Sequence, residues 1–403
     1  PLKTPIFMED FIHLHVHTHY SILDGQSKIP RLVDKAVKDG MKGMAITDHG
    51  VMYGIKEFAD YCAGVNKGRK KEGLEPFKPI FGCEMYVAHH RKESKSASDG
   101  DKSGYHLIVL AKNFKGYKNL ITLVSRAWID GFYFKPRTDR GDLEKYHEGL
   151  IICSACIAGE VPAKILNGDI EGAREAIEWY RRVFGEDYYL EIQRHEVKDP
   201  HQRANRETFP LQQRANKVIL ELAKEYGIKV VCTNDCHFED QDTAEAHDHL
   251  LCLSTNKKLD DPSRMLYTKQ EWFKTRAEMN DVFSDVPEAL TNTLDILNKV
   301  EIYSIDHGPI MPFFPIPESF GTEELWRQRY SDEEIYKEFT TDENGQNPLP
   351  PEEGRKKIEL LGGVDKLYRI KFEADYLAKL TYEGAKKLYG DPVPMDVCEH
   401  INF

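Results

Sequence analysis

Two rhythms of apolar and polar positions alternate along this chain. Seven short apolar runs, rich in β-branched residues, occur before residue 240. They are Phe11–Val16, Gly43–Thr47, Pro79–Val87, His106–Ala111, Leu150–Cys153, Tyr188–Ile192 and Lys229–Thr233, and such runs predict strands. Between them the apolar spacing lengthens to a helical period over Ile29–Val37, Tyr53–Val65, Tyr117–Trp128, Ile170–Phe184 and Leu211–Tyr226. Strand–helix alternation repeated this often implies parallel strands with crossover helices. Seven units suggest a closed, distorted TIM-like (β/α)7 barrel, an α/β fold whose chemistry sits where strands end and loops begin.

Past the barrel the pattern is mainly helical. Ala244–Pro262 reads as a helix that turns irregular. Glu271–Val300 reads as two helices, the second opened by Asp285 and Pro287, a good N-terminal signal. Pro309–Pro317 is proline-rich and should be extended. Asp342–Glu353 is polar with Gly and Pro, as linkers are, and Leu367–Tyr389 is helical again. The expected divisions are a barrel over 1–260, a helical connector over 261–317, a linker or insertion over 318–355 and a last region over 356–403.

Composition narrows the function classes. The 55 basic against 67 acidic residues give a net charge of −12. That argues against a generic DNA-coating surface, but it allows a nucleic acid held by local basic patches and metal ions. The 8 cysteines are scattered through 403 residues, so a disulfide framework is not expected. No membrane-spanning run and no signal peptide are found, which favours the cytoplasm. There is no GxxxxGK[ST] phosphate loop.

The candidate chemistry lies at the strand ends. In FIHLHVHTHYSILDG, His15 and His17 are two apart on a predicted strand, so both can reach one point. Asp24 follows in a Gly-containing turn. The second run ends in AITDHG, with Asp48 and His49, and the third contains Glu84. Cys156 lies just past the fifth, and the seventh ends in TNDCH, with Asp235 and His237 as a second pincer. His106 is less tidy, because it opens its run. Each has a plainer reading: a histidine-rich surface strand, a helix cap for Asp48, a small buried residue for Cys156. Cys153 and Cys156 make one CxxC without a second, so a zinc-ribbon reading is disfavoured. What favours a site is recurrence. Carboxylates and a thiolate crowded at one mouth would repel one another, and divalent cations remove that conflict. Mixed nitrogen, oxygen and sulfur donors suit zinc or manganese better than magnesium alone. Metal-assisted hydrolysis of a phosphate ester is the reaction class that fits.

With HLHVHTHYSILDG, AITDHG, PIFGCEMYV, YHLIVLAKN, GFYFKPRTD, GLIICSACIAGEVP, YYLEIQRH and TNDCHF in this order, the chain resembles the polymerase and histidinol phosphatase (PHP) domain family. More narrowly, it is similar to the N-terminal region of the bacterial DNA polymerase III alpha-subunit family, over about residues 11–255. The resemblance implies two or three divalent ions (Zn, Mn or Mg) on His15, His17, Asp24, His49, Glu84, His106, Cys156, Asp235 and His237. It implies catalysis through Asp235, His237, His15 and His17, with Asp48 orienting a ligand histidine from behind. The implied activity is a 3′→5′ exonuclease that proofreads DNA. The implied parent is a DNA-directed DNA polymerase, a nucleotidyltransferase of the bacterial cytoplasm, whose palm would begin in 356–403. No palm-type acidic pair follows residue 355, so the chain reads as an N-terminal piece without the polymerase site. Expected partners are a single-stranded 3′ end or primer-template DNA. Other subunits of the replicative holoenzyme, including the sliding clamp, would be reached through the missing part of the chain. The alternatives are a phosphomonoesterase of the histidinol phosphatase type and a non-catalytic module stapled by its metals.

In GFYFKPRTDR, Phe132, Tyr133, Lys135 and Arg137 combine rings with cations and are candidates for stacking a base and holding a phosphate. Buried packing is the equal alternative. The clusters Lys67–Lys71 and His89–Lys92 with Lys95 read as solvated loops. His13, His19 and His195 are left as structural or substrate-edge residues, and His247 and His249 are read as structural.

Overall fold

The structure is a computed structural model that describes residues 8–95, 103–197, 203–309, 312, 314–341 and 347–402. The chain divides into two compact units, 1–307 and 308–403.

The first unit is built on strands β1 (Gly43–Ile46), β2 (Lys78–Val87), β3 (Tyr105–Ala111), β4 (Arg137–Thr138), β5 (Leu150–Cys153), β6 (Tyr188–Gln193) and β7 (Val230–Thr233). They form one curled mixed sheet in the order β1-β2-β3-β5-β6-β7, with β4 on β2. Six of the seven predicted runs are these strands, to within a residue at each end. The expectation of all-parallel strands needs correction: β3 runs antiparallel to both β2 and β5. The connection 88–104 is polar and lacks the apolar helical period that a crossover between parallel strands would show. Reversal places the first residues of β3 at the mouth, with His106 in register with Tyr86. That is why His106 opens its run.

The predicted strand Phe11–Val16 forms no ladder. It makes a single bridge, Val16 to Cys236, yet it still closes the ring. On one side the carbonyls of His13 and Val16 accept from Ala45 and Thr47. On the other, Cys236 N–H donates to His15 O and His17 N–H to Cys236 O. Other amides here go to side chains: Ile12 to Thr293 Oγ1, Val16 to Thr47 Oγ1 and, just beyond the run, Thr18 to Asp48 Oδ1. Backbone donors satisfied this way cannot extend a ladder.

Helices α1 (Ile29–Lys38), α2 (Ile55–Lys71), α3 (Phe114–Ile129), α4 (Arg140–Lys145), α5 (Glu160–Leu166), α6 (Ile170–Phe184), α7 (Arg203–Tyr226), α8 (Ala244–Thr255), α9 (Arg276–Val282) and α10 (Pro287–Lys299) accompany the sheet. In α1, Ile29, Leu32, Val33 and Ala36 are buried, the i, i+3, i+4, i+7 stripe of a helix lying on a core. Each such side chain contributes roughly 1.5–3 kcal/mol by leaving water. Lys67–Lys71, read as a loop, is the last turn of α2. The expected boundary at 260 also shifts. Leu290, Ile296 and Leu297 of α10 belong to the barrel core, and Asn292 of α10 donates to Val230 O of β7. Apolar spacing in 287–299 serves the barrel rather than a connector.

The second unit holds α11 (Glu323–Arg329), α12 (Asp332–Phe339), α13 (Pro351–Leu360), α14 (Val364–Tyr389) and α15 (Met395–Asn402). Ile335, Ile358, Leu367 and Tyr368 make its small core. The linker expected over 318–355 is therefore largely helical. Ser331 and Glu334 cap α12 reciprocally, and Pro351 opens α13; both are strong start signals. Of that stretch, 342–346 lies outside the described residues, as do 310, 311 and 313 of the proline-rich run. Among the described residues no helix is long and apolar enough to cross a membrane.

Candidate metal centre

The closing segment and the ends of five strands deliver one cluster. His15 and His17 come from the segment between β1 and β7, and His49 from the turn after β1. Glu84 stands within β2, His106 begins β3, Cys156 follows β5, and Asp235 and His237 follow β7. Asp24 ends a tight turn in which Gly25 is required: a Cβ there would lie 1.9 Å from Thr18 O. Two non-glycine residues beside the site adopt left-handed backbone, Ala155 at φ 61° and Asp235 at φ 46°. Asp accepts that region more readily than Ala does. Strain of this kind concentrates where side chains must be aimed.

All nine expected ligands come together. Glu84 sits at the centre. Its Oε1 is 2.7 Å from His106 Nδ1 and 3.4 Å from His15 Nε2, and its Oε2 pairs with His49 Nδ1 and lies 3.9 Å from His17 Nε2. Asp235 Oδ1 is 3.1 Å from His15 Nε2 and 3.2 Å from His17 Nε2. Asp24 Oδ2 is 3.2 Å from His49 Nε2 and 3.9 Å from His237 Nε2. Cys156 Sγ stands 3.7 Å from His106 Nδ1. Three triads have donor atoms within 4.8 Å of one another: His17–His49–His237, His15–His17–Asp235 and Glu84–His106–Cys156.

The hydrogen bonds behind three imidazoles fix which nitrogen faces the mouth. His15 Nδ1 donates to Glu191 Oε1 at 2.8 Å. His17 Nδ1 reaches Ser21 Oγ at 3.0 Å, a hydroxyl that itself donates to Asp48. His237 Nδ1 donates to Asp235 O at 2.7 Å. Nε2 is left as the inward atom in each case, as metal-ligating histidines require. Buried His15 Nε2, His17 Nε2, Asp235 Oδ1 and Asp24 Oδ1 have no partner in hydrogen-bond geometry. Stranding four such atoms costs roughly 1–3 kcal/mol each, and divalent ions would satisfy them. The donor set therefore fits the metals that the sequence implies.

Charge is balanced within the cluster. Burial pushes the carboxyls of Glu84 and Asp235 up, but the histidines outweigh it: His106 and His49 for Glu84, His15 and His237 for Asp235. Both carboxyls end well below the usual range. Burial lowers His49 less than Asp24 and Glu84 raise it, so it reaches about 10. His17 is held down to about 3 by burial and by the charges of His49 and His237. Protons thus occupy places that cations can take, and metal uptake must displace them.

Residues 13–195 match the family model described as PHP domain. These residues form a PHP domain. The chain is homologous to DNA polymerase III subunit alpha of Borreliella burgdorferi, 42% identical over 318 residues, 78% of this chain and 26% of that protein. The protein of the same name from Treponema pallidum is 39% identical over 316 residues, covering 78% and 25%. The chain spans about a quarter of the length of these relatives. Among solved structures, a putative metal-dependent phosphoesterase from Bifidobacterium adolescentis is 15% identical. It covers 57% of this chain and 88% of its own, with a TM-score of 0.33, too slight a likeness to carry an argument.

Around the candidate ligands, Asp48 stands one step further back than expected. It accepts from Thr18 and from Ser21 Oγ, and only Ser21 touches His17. Glu191 was missed, although polar Glu191 and Gln193 alternate in an otherwise apolar run. Its Oε1 also accepts from Gln193 and Thr233. Tyr267 was missed too. Its hydroxyl lies 3.1 Å from both Asp24 Oδ2 and His237 Nε2, and nothing in its irregular loop signals this.

The basic, aromatic loop divides. Arg137 is 0% exposed, and its guanidinium donates to the carbonyls of Gly131, Lys92 and Ser94. It braces the loop and is withdrawn as a DNA contact. Lys92 is buried as well, paired with Asp142 at 2.6 Å, and is not a solvated cation. Phe132 and Phe134 are 44% and 64% exposed, and Phe132 stacks on Trp128 at 5.4 Å. Trp128 Nε1 donates to Gly50 O, beside His49. Lys135 Nζ lies 5.2 Å over Tyr86, whose ring meets His106 at 5.1 Å. Phe132, Tyr133 and Lys135 thus remain near the mouth. His13 and His195 are buried and fully engaged. His19 and His249 are exposed, while His247 donates to Asp24 O.

Proposed function

We propose that this PHP domain hydrolyses phosphodiesters at the 3′ end of single-stranded DNA. We further propose that the chain is the N-terminal part of a bacterial, cytoplasmic DNA polymerase III alpha subunit, with 356–403 leading toward a palm. The observation that carries the reading is the convergence of His15, His17, Asp24, His49, Glu84, His106, Cys156, Asp235 and His237 on one mouth with buried donor atoms unpartnered. Two or three divalent ions (Zn, Mn or Mg) held there would polarise a phosphate and bring water toward a neutral pKa. His15, His17, Asp235 and His237 would hold the ions that do this work, and Glu191 keeps His15 aimed. Lys135 supplies a cation, and Phe132 and Tyr133 offer faces for bases. The whole protein would polymerise DNA and engage the sliding clamp and other holoenzyme subunits through parts beyond this chain.

A second reading is favoured by the missing ladder at 11–17. Metals joining His15 and His17 to Asp235 and His237 would staple the ring where backbone pairing is sparse. Both roles are compatible.

The test uses the purified 403-residue chain with manganese or zinc and end-labelled single-stranded DNA. Shortening from the 3′ end, abolished by Asp235→Asn, is expected. Equal shortening by the variant would refute the assignment. Metal-dependent stability without any hydrolysis would leave only the staple.

A further inference from the structure

We infer that Tyr267 is a substrate-contacting residue whose phenol donates to a phosphate oxygen once the ligands beside it are engaged. This rests on the metal-centre reading above and deepens it.

His237 Nδ1 is 2.7 Å from the carbonyl of Asp235. A carbonyl only accepts, so Nδ1 carries the hydrogen and Nε2 is the nitrogen left for a cation. Tyr267 Oη is 3.1 Å from that Nε2 and 3.1 Å from Asp24 Oδ2. The phenol has one proton and faces an imidazole nitrogen and a carboxylate oxygen, both on candidate ligand residues. Once a cation holds Nε2, that nitrogen cannot accept, and a cation on Asp24 makes its carboxylate a weaker acceptor. The O–H then stands at the mouth with a proton that a stronger acceptor can take. An anionic, acceptor-only oxygen such as that of a phosphate group is its natural partner.

The position is built. The Tyr267 ring packs against His237 at 4.7 Å and edge-on to His247 at 5.2 Å. On one side of it in sequence, Arg264 clamps Asp248 with two bonds of 2.5 and 2.9 Å. On the other, Thr268 N–H and Oγ1 both donate to Glu271. These bonds pin the irregular loop on both flanks of Tyr267 and restrict where its side chain can go. The family match ends at residue 195, so this residue comes from chain outside it.

The variant is Tyr267→Phe, which keeps both ring contacts. Metal content is read by elemental analysis, and binding of inorganic phosphate to the metal-loaded chain by titration calorimetry. The expected result is unchanged metal content with phosphate affinity about 10-fold weaker, the scale of one hydrogen bond to a charged group. For an active enzyme, KM for an oligonucleotide should rise together with this loss. Unchanged phosphate affinity, or loss of metal from the variant, overturns the inference. Should the wild-type chain take up no metal, the centre itself falls and Tyr267 with it. Should the loaded chain bind phosphate through Tyr267 yet cleave no oligonucleotide, the nuclease reading falls alone.

Discussion

Two buried polar networks lie side by side in the barrel unit, and only one is complete. Beneath the mouth, His13 Nε2 donates to Lys274 O and its Nδ1 accepts from Cys236. His195 Nε2 donates to Asn234 O, while its Nδ1 accepts from Gln212. Glu271 accepts from Thr268 and Gln270, and Lys274 donates to Asn234 and Gln270. None of these side chains has a buried atom without a partner. At the mouth, one residue away along the chain at Asp235, four ligand atoms lack one. Histidine content and burial do not separate the two networks. Saturation does: a closed network is architecture, and an open one awaits a ligand.

The comparison can be broken at either network. Asp235→Asn should lower hydrolysis by well over 100-fold, beyond the roughly 10–100-fold expected of residues behind the ligands, as read by initial rates on labelled DNA. Gln212→Leu attacks the closed network. It strands the His195 amide and Nδ1, at roughly 1–3 kcal/mol each. Denaturant unfolding should show about 3 kcal/mol lost, with metal affinity unchanged. Glu191→Gln should do the reverse, weakening metal binding roughly 10–100-fold in a chelator competition. The smallest effect concerns Lys274, whose burial holds its amine down to about 8 from 10.5. Below 8 the folded and unfolded chains are both protonated, and the buried charge is costliest. Between 8 and 10.5 the unfolded chain holds a proton that the folded one has shed, so stability rises with pH. Wild type should gain about 2.5 kcal/mol over Lys274→Met across that window, at about 1.4 kcal/mol per pKa unit less the incomplete titration at each limit. A flat difference would show that the amine titrates normally.

Saturation also marks what could be read from residues alone. The strands were legible because short, continuous apolar runs mark strands buried on both faces. The candidate ligands were legible because His, Asp, Glu and Cys recurred at run after run. The direction of β3 was not, since an apolar run is the same read forward or backward. Only the polar composition of 88–104 hinted at a return. Phe11–Val16 looks like a strand locally, and only distant threonines and Asp48 decide where its amides go. Arg137 has the same neighbours in sequence whether its guanidinium faces a phosphate or three carbonyls. Ser331 and Glu334, by contrast, spelled out a helix start inside the supposed linker.

The central claim is that one mouth holds a multinuclear centre. Its most direct test is elemental analysis of the purified wild-type chain after loading with zinc or manganese and exhaustive dialysis. The account predicts two or three equivalents of metal per chain. Retention of none would contradict it.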